Sequence, residues 1–435
     1  MLSRTAELAR RVRARAQPAV FGRVIQVAGL LVVATVPGAG VGDLIEVDAA
    51  HGVVPCEVVG FRDGAVLAVP LRPGRGLAPG ARARIRASAS SVPVGESMMG
   101  RVVDPFGVAI DGGPPVRCTE RVTIDAPAPA VDARAQVDRR FDTGVRAIDA
   151  LLTCGRGQRV GIFAGAGVGK SVLVEQIATQ SFADVIVVGL IGERGREVRE
   201  LLGNARRDSM VIVAATSDRS PMERARGACA ATAIAEHFRD KGANVLLVID
   251  SLTRYAMALR EIGLSAGEPP TTKGYPPSVF STLPRLLERV APLTGGGSIT
   301  GFYTVLVEGD DLSDPVADSA RSLLDAHVVL SRDLASRGHF PAIDILASAS
   351  RVARRVSEAA AVGLAERTRA ALARRKLVTE LQNLGAYLPG NNPAYDQALA
   401  LGERLDAWAR QPSGERSDHE TTMASLSAAL QEASS

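Results

Sequence analysis

The run Ala164-Gly165-Ala166-Gly167-Val168-Gly169-Lys170-Ser171 sets three glycines, a lysine and a hydroxyl at the spacing of a phosphate-binding loop. In such a loop backbone N–H groups face an anion, the lysine reaches the β- and γ-phosphates of a nucleotide, and the serine hydroxyl holds Mg2+. Gly165 through Ser171, together with Val172, therefore form the candidate binding set for ATP. The first position departs from the usual pattern, since Ala164 stands where glycine is expected. Asp250 ends the apolar run Val245–Ile249, and an aspartate so placed beside a phosphate loop binds Mg2+ through water; capping the next helix is its ordinary alternative. Glu193, in Gly192-Glu193-Arg194-Gly195-Arg196-Glu197, follows the apolar run Val185–Ile191. A carboxylate at the carboxyl edge of a sheet can orient and polarise the water that attacks a γ-phosphate; a charged turn held by ion pairs is the plainer alternative. Arg254 and Arg351 are cations able to stabilise charge on a transferring phosphoryl group, although an exposed helix arginine has the same sequence signature as Arg254.

These groups need a sheet to hold them. The strand Val160–Phe163 runs straight into the loop, and a helix-like stretch opens at Val172. Further apolar runs at 185–191, 210–216, 245–250, 299–307 and 328–330 alternate with helical stretches, the pattern of a parallel sheet covered on both faces. Before them, five short β-rich runs at 20–27, 30–36, 44–47, 56–61 and 65–70 are punctuated by Gly and Pro at the spacing of a small barrel. A basic amphipathic helix is expected over 1–17, the barrel over 18–90, an ATPase core over 91–355, and a helical domain over 356–435 with a polar, mobile tail beyond Pro412.

Composition bounds the remainder. A 435-residue chain with 46% apolar and 23% charged residues is a soluble multidomain protein. It has no apolar run of membrane-spanning length and its N-terminus is arginine-rich in place of an apolar signal core, so a cytoplasmic location is expected. Cys56, Cys118, Cys154 and Cys229 are too scattered for a zinc site or disulfide framework and read as reduced packing residues. Residues 1–90 hold twelve arginines against six acidic residues, either a docking surface for a protein or anionic membrane or a solvated face. With 4% aromatics and no basic stripe, a nucleic-acid partner is not expected.

Taken together, Phe163–Ser171, Gly192–Glu197, Asp250-Ser251-Leu252-Thr253-Arg254 and Pro341-Ala342-Ile343-Asp344 resemble the catalytic subunits of rotary ATPases. Within that superfamily, Lys273–Phe280, Val307–Asp311 and Asp314–Arg321 resemble the type III protein export ATPases, the Asp-Pro-Val-Ala-Asp-Ser-Ala form being nearer the flagellar branch than the injectisome branch. A rotary synthase subunit, a ring helicase and a non-hydrolysing assembly module are the competing readings. The resemblance implies an α/β chain with an N-terminal small β-barrel, a central RecA-like parallel-sheet P-loop domain and a C-terminal helical domain. It implies a homo-hexamer at the cytosolic face of the inner membrane, at the base of an export apparatus. A stator-like regulatory subunit on the N-terminal helix, a coiled-coil stalk protein in the ring pore near 275–280, export chaperone–substrate complexes and a membrane export gate are the implied partners. Position by position, it makes Lys170 and Ser171 the phosphate and Mg2+ ligands and Glu193 the catalytic carboxylate. Arg194, Glu197 and Arg254 become γ-phosphate supports, and Arg351 a finger reaching the neighbouring protomer. Phe340 becomes the aromatic against adenine, with core packing as its alternative. Ala164 matches the export branch.

Overall fold

The computed structural model describes residues 21–86, 90–197, 207–307, 311 and 313–431. The basic helix expected over 1–17 and the Glu308-Gly309-Asp310 part of the export-like segment lie outside them. Two compact units form.

One unit holds a closed barrel of six strands, Gly22–Ala28, Leu31–Thr35, Leu44–Ala49, Gly52–Arg62, Ala65–Pro70 and Arg82–Ile85, joined in the order first, second, fifth, fourth, third, sixth. Alternate side chains point inward, so Val24, Val32, Ile45, Val47, Val58 and Val66 meet in its interior. Closure presses the first strand against the second so tightly that a Cβ on Gly22 would stand 1.4 Å from the Thr35 carbonyl oxygen. The sixth strand was not among the expected runs. It reads Arg-Ala-Arg-Ile, and its one fully buried side chain is Ala83, too small to mark an apolar alternation among arginines.

The other unit is built on an eight-stranded sheet. Its order is Ile343–Ser350, Ala326–Leu330, Arg159–Ala164, Ser298–Leu306, Asn244–Asp250, Val185–Ile191, Met210–Ala215 and Val102–Val103. Every pairing is parallel except that of the Ile343–Ser350 edge. The central strands are buried along almost their whole length, which explains their continuous Val/Ile/Leu runs; each such side chain contributes about 1.5–3 kcal/mol by leaving water. The helix Pro221–Asp240 lies against three of these strands. Its start is fixed by a capping box in which Ser220 accepts from the Glu223 amide and Glu223 accepts in return from the Ser220 amide.

The chain ends in the helices Ala359–Asn383, Pro393–Ala409 and His419–Gln431. The last corrects the expectation of a polar, mobile tail. Leu426 is fully buried in the same core as Leu405 and Trp408, and Trp408 Nε1 donates to Ser425 Oγ at 3.0 Å. Met423, Leu426 and Leu430 keep helical spacing there, diluted by Ser, Thr and Ala. Small barrel, parallel-sheet nucleotide-binding domain and C-terminal helices are thus all present, as the sequence predicts. No described helix is long and apolar enough to cross a membrane.

Candidate active site

The strand Arg159–Ala164 delivers the glycine loop to the N-terminus of the helix Lys170–Gln180. Gly167 and Gly169 sit at φ of +78° and +90°, a left-handed geometry that costs L side chains strain and lets successive N–H groups point the same way. No side chain caps the helix. Its first N–H groups therefore remain donors for an anion, on which the helix dipole also acts. Ala166 and Gly167 are exposed, as are Ser171 and Val172 at the helix start, while Gly165 and Val168 are buried.

Parallel strands bring the carboxylates to the same edge. Leu190 pairs with Asp250 across adjoining strands, so Asp250 and Glu193 leave the sheet side by side. The strand Ser298–Leu306 separates them from the loop strand, and Lys170 bridges the gap. Its ammonium donates to Asp250 Oδ1 and stands 3.4 Å from Glu193 Oε1. Burial pulls the Lys170 pKa down, but Asp250 and Glu193 outweigh it and hold the group above its ordinary value. Burial pushes the Glu193 carboxyl up; Asp250 and Glu197 add to the rise, against Lys170 and Arg254. A glutamate held above its usual range beside a phosphate loop is suited to take a proton.

Arg254 leaves the start of the helix Leu252–Ala266 and lies along Gly192, where a Cβ would meet its Cβ at 3.0 Å. Its Nε is buried without a hydrogen-bond partner. Glu197 is half-buried and acts on both Lys170 and Glu193, whereas Arg194 is exposed. Phe340 is 45% exposed, and its Cε1 would lie 3.2 Å from a Cβ on Gly169. That position rules out core packing for its ring. Arg351 is not part of this cluster. Ser350 pairs with Ala326, Ala326 with Val160, and the Arg351 amide donates to the Asp325 carbonyl. Arg351 is therefore level with the start of the loop strand, about 16 Å of strand rise from the loop end. In the segment 275–280, expected near a stalk, Pro277 is exposed while Tyr275 and Val279 are buried.

Two residues at the site were not anticipated. Thr304 Oγ1 donates to Asp250 Oδ1 at 2.5 Å; its signal was a hydroxyl within a strand otherwise buried and largely apolar. Arg332 Nη1 donates to the Ala166 carbonyl at 3.3 Å, a contact across 166 positions that no local pattern marks.

Comparison with known proteins extends these observations. Residues 144–350 match the model of the ATP synthase alpha/beta family nucleotide-binding domain, and residues 357–428 that of the T3SS EscN ATPase C-terminal domain. The flagellum-specific ATP synthase of Pseudomonas aeruginosa is 48% identical over 91% of this chain and 90% of its own. The type 3 secretion system ATPase of Sinorhizobium fredii is 46% identical, covering 94% of this chain and 92% of its own. In structure, the assembled ATPase EscN in complex with its central stalk EscO, from the type III secretion system of enteropathogenic E. coli, superposes with a TM-score of 0.85 at 40% identity, over 94% of this chain and all of that one. The chain belongs to the flagellum-specific and type III secretion ATPases of the ATP synthase alpha/beta family.

Proposed function

We propose that this chain is the ATP-hydrolysing motor of a flagellar type III protein export apparatus, working as a homo-hexamer in which Arg351 completes the nucleotide site of the next subunit. The observation that carries the hydrolytic part is the Lys170 ammonium held between Asp250 and Glu193 at the end of the glycine loop. In this reading the loop N–H groups take the phosphates, and Lys170 is drawn from the carboxylates onto the β- and γ-phosphates. The unpartnered Arg254 Nε–H supplies a further donor, with Arg194 and Glu197 supporting the γ-phosphate. Phe340 offers its ring to the base beside Gly169. Glu193 orients the attacking water and accepts its proton.

The residues also fit Mg2+. Two carboxylates already converge on one cationic group, the Lys170 ammonium, so the donor set is made for positive charge. Ser171 and Asp250 would hold the ion, which when bound neutralises developing phosphate charge.

The partners are those of an export motor. A central stalk like that of EscN is favoured by the 94% coverage of this chain in that complex. A stator-like subunit on residues 1–17, export chaperone–substrate complexes, a membrane export gate and a cytoplasmic position against the inner membrane complete the reading, with no nucleic acid. Glu193→Gln in the chromosome tests it. The expected result is loss of flagellar filament protein from the culture medium at normal cellular levels of the variant, with ATP hydrolysis down about 10²–10⁴-fold. Undiminished secretion would overturn the flagellar reading and favour the injectisome role that the Sinorhizobium relative's name carries.

A further inference from the structure

Between the helices Pro393–Ala409 and His419–Gln431 the chain forms a short strap, Arg410–Ser417, against Gly144, Arg146, Gln180 and Phe340. It is pinned at three places. Gln180, the last residue of the phosphate-loop helix, donates through Nε2 to the Ser413 carbonyl at 2.5 Å. Arg146 reaches Glu415 Oε1 at 2.7 Å. The third pin is Gln411, which is 3% exposed and uses both polar atoms of its side chain. Its Oε1 accepts from the Arg146 amide at 2.8 Å, and its Nε2 donates to the carbonyls of Gly144 and Glu415, both at 2.8 Å. Its backbone N–H donates to the Phe340 carbonyl at 3.0 Å.

This arrangement is more than a C-terminal attachment. The helix Arg146–Leu151 has no side-chain cap from Val145, so Gln411 supplies its first acceptor from 265 positions away. A glutamine thereby locked to the sheet domain presents its own amide to Phe340, the residue whose ring leans over Gly169. Phe340 itself is exposed between buried His339 and buried Pro341–Ile343, and the Gln411 N–H holds the carbonyl of the residue that carries the ring.

We infer that Gln411 is a positioning residue for the nucleoside end of ATP, fixing Phe340 over the phosphate loop. The inference rests on the proposed contact of Phe340 with the base. A loosened strap lets the ring leave the loop, which weakens ATP without touching the groups that hold its phosphates. Ligands without a base do not sense the change.

The test uses the full chain and two probes, ATP and inorganic tripolyphosphate, with binding measured by calorimetry and turnover by steady-state kinetics. Gln411→Ala is expected to weaken ATP about fivefold, the effect of one buried hydrogen-bond anchor, and to raise KM while kcat stays within about twofold. Tripolyphosphate binds as before. Phe340→Ala weakens ATP as well, and the double variant binds no worse than Phe340→Ala alone, because both changes act through one ring. Unchanged ATP affinity in Gln411→Ala, equal weakening of both probes, or additive losses would overturn the inference while leaving Phe340's role standing. An unimpaired Phe340→Ala would instead remove the base contact, and the inference with it. Should Gln411→Ala melt below the assay temperature, Gln411→Met, which keeps the length without placing a buried charge against the Gly144 and Glu415 carbonyls, is read by the same criteria.

Discussion

At the scale of residues, the site's chemistry follows from three carboxylates around one ammonium. Glu193 and Asp250 each approach Lys170, and Glu197 stands near enough to act on both Lys170 and Glu193. Burial and like charge both disfavour ionised Glu193, so its pKa is raised. A general base must be ionised to accept a proton. The acid limb of kcat/KM for MgATP, which reports the free enzyme, should therefore fall at a higher pH than an ordinary glutamate near 4.5 would give. Removing a repelling charge should lower it: Glu197→Gln is expected to move the limb to lower pH, whatever it does to the plateau rate. A limb that stays in place in that variant would take Glu193 out of the role of base. Much of this cluster was legible in sequence, because Gly-Lys-Ser and a strand-terminal aspartate are local signals. Thr304 and Arg332 were not, since a single hydroxyl or an exposed arginine has no period and acquires a partner only through sheet order.

At the scale of elements, the sheet strands were legible because burial on both faces leaves mostly apolar side chains to read. Where an element is half-exposed or small, that signal thins. The barrel's Arg-Ala-Arg-Ile strand and the antiparallel edge Ile343–Ser350, with its Ala and Ser positions, are both of this kind. The C-terminal helix His419–Gln431 is the sharpest instance, since its composition resembles a tail while Leu426 is inaccessible among Leu405, Trp408 and the sheet-domain core. Leu426→Ala should accordingly cost about 2–5 kcal/mol, seen as a Tm several degrees lower in scanning calorimetry. Exposed Ala424→Ser serves as the matched control, with an expected change of less than about 0.5 kcal/mol. Equal Tm values for the two variants would mean that this helix contributes nothing to the fold.

At the scale of the molecule, sheet topology parts Arg351 from its own chain's phosphate loop, as the proposed role in a neighbour's site requires. Register puts Arg351 at the opposite end of the sheet from the loop, level with Arg159, so it cannot reach the phosphates bound by its own chain. It is exposed there, as a residue serving a neighbour must be. A finger donated in trans predicts behaviour that no cis residue can give. Arg351→Ala alone should lose about 10³–10⁵ in kcat while still binding ATP, and Glu193→Gln alone should also be inactive. In a one-to-one mixed ring, however, an Arg351→Ala subunit keeps its own Glu193 and can be completed by the intact Arg351 of a Glu193→Gln neighbour. Random assembly pairs them correctly at half times half of the interfaces, so about a quarter of the unaltered ring's activity should return on mixing. The mixture is assayed after subunit exchange, beside each variant alone at the same total concentration. A mixture as inactive as its parents would make Arg351 a surface residue and remove the reason for a ring in the hydrolytic step; recovery would place the catalytic unit at the interface, so that closing one site necessarily moves the next subunit.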